Sequence, residues 1–190
     1  MDKTNSLVVC YFRTSIQKKN RMIETKRLIL KPLSYNELIK HIKFPDELAK
    51  DLELTPSKSL IEKEVQGAIL NDLLPSLSDL TKDSLFYTMW IIIEKNIKTI
   101  IGGICFHGEP DENGEVEIGY GIDGDYQNKG YMTETIFGLT QWAKDNKRIQ
   151  TIKAETDKTN IASILVLEKN NFKLTEQKDN SIIMKLNLKK

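Results

Sequence analysis

Cysteine and histidine are nearly missing from this 190-residue chain: two cysteines, Cys10 and Cys105, and two histidines, His41 and His107. The cysteines form no C-x-x-C spacing, and the histidines lie too far apart for a local motif with no cysteine pair to join them, so a zinc motif, a redox pair and hence a resident metal are not expected. No N-x-[ST] sequon and no secretory leader is read, which leaves two free thiols in a reducing cytoplasm. Long hydrophobic runs are lacking as well. Uncharged stretches such as residues 99–107 fall far short of the roughly 18–20 apolar residues of a membrane span. An excess of one charge is also missing, with 28 Lys and Arg against 27 Asp and Glu. Residues 1–21 carry five basic side chains (Lys3, Arg13, Lys18, Lys19, Arg21) and one acid, Asp2, so the rest holds 23 basic and 26 acidic residues. That balance argues against sequence-independent nucleic-acid binding, which needs a concentrated basic face.

What is present is a core. Hydrophobic residues make up 39% and charged residues 29% of the chain, a globular composition, and a chain of this size is expected to bury roughly 70% of its surface without a disulfide or metal. Residues 1–21 read as a basic N-terminal leader with one apolar cluster, Leu7, Val8 and Val9 with Tyr11 and Phe12. Residues 22–190 read as one domain. Residues 23–32 form a strand closed by Pro32. Ser34 followed by Glu37 is a capping box for a helix whose apolar face is Leu38, Ile39 and Ile42. A second helix follows Pro56 through Leu60, Ile61, Val65, Ala68 and Ile69, and residues 72–83 are assigned to a loop. Residues 86–94 and 99–106 form a hairpin around Lys95 and Asn96, and residues 115–122 a third strand. Met132, Ile136, Leu139 and Ala143 recur at helical spacing. A strand at 151–155, a helix capped by Asn160, and strands near 172–177 and 181–188 complete an α+β, mixed α/β order with a largely antiparallel sheet.

Gly119-Tyr120-Gly121-Ile122-Asp123-Gly124 matches G-x-G-x-x-G, but its first two glycines lie within a strand rather than at a strand-to-helix turn, which rejects a dinucleotide fold. More informative is Gln127-Asn128-Lys129-Gly130-Tyr131-Met132, directly before an amphipathic helix. A helix N-terminus offers unpaired N–H groups and the positive end of the macrodipole, and Gly130 removes the Cβ that would hold a phosphate away.

Three blocks stand in company: Glu115-Val116-Glu117-Ile118-Gly119-Tyr120 with Gly121-Ile122-Asp123; the 127–132 loop; and Asn160, Ser163, Val166, Leu167, Glu168, Lys169 and Phe172. In this order they resemble the GNAT superfamily of acetyl-CoA-dependent N-acetyltransferases. The opening Glu24-Thr25-Lys26-Arg27-Leu28-Ile29-Leu30-Lys31-Pro32-Leu33 is similar to the first strand of its ribosomal-protein N-terminal acetyltransferase branch. The resemblance spans residues 22–177. It implies a GNAT-like sheet splayed at the cofactor site and flanked by helices. It also implies direct transfer of acetyl from acetyl-CoA to a primary amine, on a protein N-terminus or a small molecule.

Carried over by position, the backbone of Gln127, Asn128, Lys129, Gly130, Tyr131 and Met132 would cradle the pyrophosphate. The main chain of Tyr120, Gly121 and Ile122 would hold the pantetheine and the thioester carbonyl. Asn160 would reach the cofactor, Glu117 would act as base directly or through water, and Ser163 stands as a candidate acid. Three positions depart from the family pattern: Met132 where Gly or Ala is common, Asn171 where Gly usually precedes Phe172, and Leu167 where many relatives carry an acid tyrosine. Leu167 keeps open the alternative of a catalytically silent acyl-CoA-binding module. Each residue also has a plainer reading. Glu117 is a strand charge paired with a lysine, Asn160 a helix cap, Ser163 a first-turn serine, Trp90 and Trp142 packing residues, and His107 a surface residue. Lys129 is expected to be exposed. The amine acceptor is not legible, and a homodimer stays open.

Overall fold

The computed structural model describes residues 22–57 and 61–189; the basic leader with Cys10, and Leu60 of the second expected helix, lie outside them. The first expected strand is two strands. β1 (Ile23–Glu24) turns back on β2 (Leu28–Pro32), with Ile23 opposite Leu30 and the Thr25 N–H donating to the Leu28 carbonyl at 3.0 Å. The break has a tertiary cause. Glu134, more than a hundred residues away, accepts from Thr25 Oγ1 at 2.6 Å, from the Arg27 N–H at 2.7 Å and from Arg27 Nε at 2.6 Å, so the turn is held by a partner that local sequence does not contain.

α1 (Tyr35–Lys43) starts at the expected capping box: the Ser34 N–H donates to Glu37 Oε2 at 2.8 Å and the Glu37 N–H to Ser34 Oγ. Pro45 at the first turn then opens a helix not anticipated from pattern, α2 (Pro45–Asp51). α3 (Lys63–Ala68) runs through a π-helical turn, Ile69–Leu73, into α4 (Leu74–Ser78). This corrects the loop assigned to 72–83. Asp72, Pro75 and Ser76 look like loop chemistry, but Leu73, Leu74 and Leu77 pack with Ile69 against Ile91 and Ile93, and that burial carries the helix on.

The strands β3 (Met89–Glu94), β4 (Thr99–Phe106), β5 (Glu115–Ile122), β6 (Thr151–Asp157), β7 (Lys173–Gln177) and β8 (Ser181–Asn187) join the first two in one sheet of order β1-β2-β3-β4-β5-β6-β8-β7. Among the described strands only β5 and β6 pair in parallel. Between β3 and β4 the register jumps from Ile92 opposite Gly102 to Ile93 opposite Ile100, leaving Ile101 as a bulge. Gly102 is required there because a Cβ would stand 2.4 Å from the Gly121 carbonyl oxygen.

The two faces of the sheet are covered differently. α5 (Tyr131–Asp145) and α6 (Ile161–Lys169) pack on one face over a core that includes Leu28, Leu30, Ile104, Phe106, Val116, Ile118, Ile136, Leu139, Leu167 and Phe172. Trp90 is fully buried there and its Nε1 donates to the Leu85 carbonyl at 3.0 Å; with Phe86, Phe106 and Trp142 it forms an aromatic cluster with centroids 5.0–6.5 Å apart. Both tryptophans are therefore packing residues. On the other face the short helices α1–α4 cover β2 and β3 through Leu33, Leu38, Leu48, Ile69, Leu74, Ile91 and Ile93.

Candidate active site

β5 and β6 pair at only three positions, Glu115 with Thr151, Val116 with Ile152 and Glu117 with Lys153. Beyond them β5 stays with β4 through Ile118 to Ile122, while β6 continues against β8 from Ala154 to Asp157. The sheet therefore opens at its centre. The ladder bonds of β5 to β4 fall on odd-numbered residues: the His107 N–H donates to the Glu117 carbonyl and the Asp123 N–H to the Ile101 carbonyl. By alternation the N–H and C=O groups of Tyr120 and Ile122 face the opening. Gln127 Nε2 donates to the Ile122 carbonyl at 3.3 Å, so one gap-side acceptor is met by the loop itself.

That loop leads into α5. Asn128 and Gly130 both adopt left-handed backbone, φ 59° and 76°, which glycine takes at no steric cost and asparagine at little. Gly130 is the N-cap and has no side-chain cap, and its carbonyl accepts the first helical bond from the Glu134 N–H. The N–H groups of Tyr131, Met132 and Thr133 thus have no partner within the helix. A Cβ at Gly130 would meet only Arg27 Nη2, at 3.6 Å, so the approach to the backbone is open to a phosphate-sized group.

The loop side chains serve other ends. Met132 is buried in the core, which explains why a large apolar residue is accepted where a small one is common. Lys129 is turned back, Nζ donating to the Asp125 carbonyl at 2.6 Å. Arg27, a residue that pattern reading passed over, braces the loop. Its guanidinium lies 4.3 Å from the Tyr131 ring centroid and Nη1 donates to the Lys129 carbonyl at 3.0 Å. Burial alone would raise the Glu134 carboxyl that anchors Arg27, but the hydrogen bonds from Thr25 and Arg27 hold it below its ordinary value. The only local sign of this brace is that Arg27 precedes Leu28 at the start of the strand.

Across the opening stands the N-terminus of α6. Asn160 caps it, Oδ1 accepting from the Ser163 N–H at 3.0 Å, so the capping role is realised. Ser163 does more than fill a first turn: its Oγ is 2.8 Å from the Tyr120 hydroxyl, a bridge between α6 and β5. Burial raises the Tyr120 phenol, which the bond to Ser163 partly offsets. Leu167 is fully buried and carries no acid into the opening. Asn171 holds a left-handed φ of 65°, so it serves the turn before Phe172 that a glycine would otherwise make.

Glu117 lies on the face without α5 and α6. Its Oε2 is 2.7 Å from Lys153 Nζ and its Oε1 3.2 Å from His107 Nδ1. Sequence reasoning anticipated a lysine partner but set His107 aside as a surface residue. The ring is half exposed, and it is tied to Glu117 nonetheless. The hydrogen bond to Glu117, foremost among its causes, raises the Lys153 ammonium above its ordinary value. The neighbouring Cys105 thiol is pushed up to about 11 by burial, which removes it as a nucleophile at neutral pH. Among the described residues, no group of three or more His, Cys, Asp or Glu is arranged to hold a metal, and no helix is long and apolar enough to cross a membrane.

Comparison with known proteins agrees with this geometry. Residues 27–173 match the family model described as the acetyltransferase (GNAT) domain. The chain is 36% identical over 91 residues to YjdG of Bacillus subtilis (strain 168), named as an uncharacterised N-acetyltransferase, a match covering 48% of this chain and 54% of that protein; the chain thus spans about half the length of that relative. Among solved structures, the ribosomal-protein-S5-alanine acetyltransferase of Vibrio fischeri aligns with a TM-score of 0.61 at 18% identity, over 87% of this chain and 96% of that one. RimL, a ribosomal L7/L12 alpha-N-protein acetyltransferase solved with coenzyme A, aligns with a TM-score of 0.59 at 18% identity, over 87% and 97%. At these identities the two structures speak for the fold.

Proposed function

The chain belongs to the GNAT acetyltransferase family, and on that premise we propose that it transfers acetyl from acetyl-CoA directly to a primary amine. The observation that carries the reading is the coincidence of the β5–β6 opening with the uncapped N-terminus of α5. One turns the main chain of Tyr120 and Ile122 toward an extended amide-bearing arm, the other offers N–H groups without helical partners to a pyrophosphate. In this reading the backbone from Gln127 to Met132 holds the phosphates. The main chain of Tyr120 to Ile122 holds the pantetheine and supports the thioester oxygen as it gains charge. Asn160 adds its amide from α6. Acetyl-CoA supplies the activated carbonyl; everything else is positioning and proton transfer.

An amine attacks only when neutral. A lysine-like amine costs roughly 4–5 kcal/mol to deprotonate at pH 7, an α-amine only about 1. In this reading Glu117 is the carboxylate that draws this proton, directly or through water. The hydroxyls of Ser163 and Tyr120, bridged at 2.8 Å, in this reading supply the proton for the departing thiolate, which supports turnover over a silent binding module despite Leu167. The acceptor class is an amine on a protein N-terminus or a small molecule. The structural likeness to alpha-N-protein acetyltransferases and the lower deprotonation cost favour the N-terminus, and the cytoplasm is where such acceptors and acetyl-CoA meet. The deciding experiment is thiol release from acetyl-CoA over a panel of free-N-terminus peptides, polyamines and aminoglycosides. Turnover of at least one amine is expected; tight CoA binding without turnover of any would establish the silent module instead.

A further inference from the structure

His107 follows the end of β4, and its ring lies back across β5. Nδ1 is 3.2 Å from Glu117 Oε1; a carboxylate only accepts, so Nδ1 carries the hydrogen and Nε2 keeps the free lone pair. A Cβ added to Gly119 would fall 2.7 Å from Nε2 and 3.3 Å from Cε1. The imidazole therefore rests on the Gly119 main chain, and the glycine is there to admit it. Two residues on, about 7 Å along the same face, Gly121 has nothing within 4 Å of its Cβ position. The two glycines left over from the rejected dinucleotide motif thus clear one trough, filled at Gly119 by His107 and open at Gly121 beside the main chain that faces the β5–β6 gap. Glu117 itself is engaged at both oxygens, Oε1 by His107 and Oε2 by Lys153.

Building on the acetyl transfer proposed above, we propose that His107 is the catalytic residue that takes the proton from the amine, through Nε2, with Glu117 as its orienting carboxylate. The ammonium gives one proton to Nε2, and the imidazolium so formed is balanced by Glu117. The amine lone pair forms the N–C bond to the thioester carbonyl carbon, the C–S bond breaks with its electron pair on sulfur, and the second N–H proton ends on the thiolate. His107 returns its proton to solvent. The sum is ammonium plus thioester to amide, thiol and one proton. The titratable and charged groups around the ring are Glu117 on β5 and Lys153 behind it on β6. From β4 comes the Cys105 thiol, 3.7 Å from the Gly119 Cβ position, and from the segment before β3 the Tyr87 hydroxyl, 4.0 Å from that of Gly108.

The test uses the full chain, acetyl-CoA and a peptide with a free N-terminal serine, or the fastest amine of the panel if that peptide is not turned over. His107→Gln is expected to lower kcat about 10- to 100-fold at pH 7 with KM for acetyl-CoA unchanged. The deficit should shrink as pH rises and the amine deprotonates unaided, so that the variant's pH–rate profile is steeper than the parent's. Gly119→Ala drives a Cβ against Nε2 and is expected to cost a similar factor in the parent yet nothing further in the His107→Gln background. A parent that turns over while both single variants keep its rate and pH profile overturns the role of His107 alone. A parent that acetylates no amine overturns the acetyl-transfer reading and this one with it.

Discussion

The two faces of the sheet are built on different terms. One is sealed by α5 and α6 over a continuous core in which Trp90, Phe86, Phe106 and Phe172 are almost wholly removed from water. The other is covered by α1–α4 over β2 and β3, while β5, β6 and β8 carry the cross-strand ion pairs Glu117 with Lys153 and Glu115 with Lys185, and Glu155 of β6 pairs with Lys178 of the β7–β8 turn. The first face carries stability. The second carries stability only where α1–α4 cover it; its part over β5, β6 and β8 contributes little, because partly exposed pairs are worth roughly 0–1 kcal/mol each, and that part is free to hold charge, an imidazole and an open approach. The chemistry gathers where the sealed face ends, at the splay.

The comparison breaks most visibly at Trp90. Trp90→Ala on the sealed face is expected to cost about 3–5 kcal/mol in unfolding free energy, whereas Lys153→Met on the open one should cost no more than about 1. Urea unfolding of both variants checks it, and equal losses would dissolve the distinction. At the junction of the faces, Gly130→Glu should weaken CoA binding at least about 100-fold by calorimetry. A bulky anion is then set against the phosphates at a left-handed position, φ 76°, that glycine alone takes without cost. An unchanged affinity in the folded variant would remove the loop as the phosphate site.

A pH experiment sharpens the contrast on the side of α1–α4. Among the described residues His41 Nδ1 is buried without a hydrogen-bond partner, and burial holds its pKa down to about 4. The neutral form is favoured in the fold while the unfolded chain takes up a proton near 6.5. The stability it protects is therefore complete above about pH 6.5 and is lost as pH falls toward 4. Replacing His41 by Leu should remove about 1–3 kcal/mol of that acid sensitivity between pH 7 and 4.5, read as the difference between parent and variant denaturation midpoints. A variant that keeps the full sensitivity would assign it to carboxylates instead. The smallest effect expected is catalytic. Glu117→Gln should lower kcat about tenfold or more at pH 7 with CoA affinity nearly unchanged, the deficit shrinking as pH rises and the amine deprotonates unaided. A superimposable pH–rate profile would return Glu117 to the ordinary charges of the open face.

Legibility followed the range of the interaction. The Ser34–Glu37 capping box, the Asn160 cap and the Gly130 loop were readable because the groups that make them lie within a few residues of one another. The missing acid at Leu167 was equally plain, and its burial agrees. The π-helical turn through Ile69–Leu73 was not readable, because its leucines matter only once Ile91 and Ile93 are opposite. The break between β1 and β2 needed Glu134, and His107, exposed as expected, gave no sign of its contacts because Glu117 and Gly119 are met across β4 and β5 rather than along the chain.

By itself the sequence determined the alternation of strands and helices and the resemblance to the family to which the chain belongs. Periodicity, capping and turn preferences are local free energies of the chain. Only the tertiary structure decided that β5 and β6 part after three pairs, that Tyr120 bridges to Ser163, and that His107 stands against Glu117 Oε1. Those outcomes depend on registers and packing between elements far apart in sequence, where a shift of one residue would send every side chain of a strand to the opposite face.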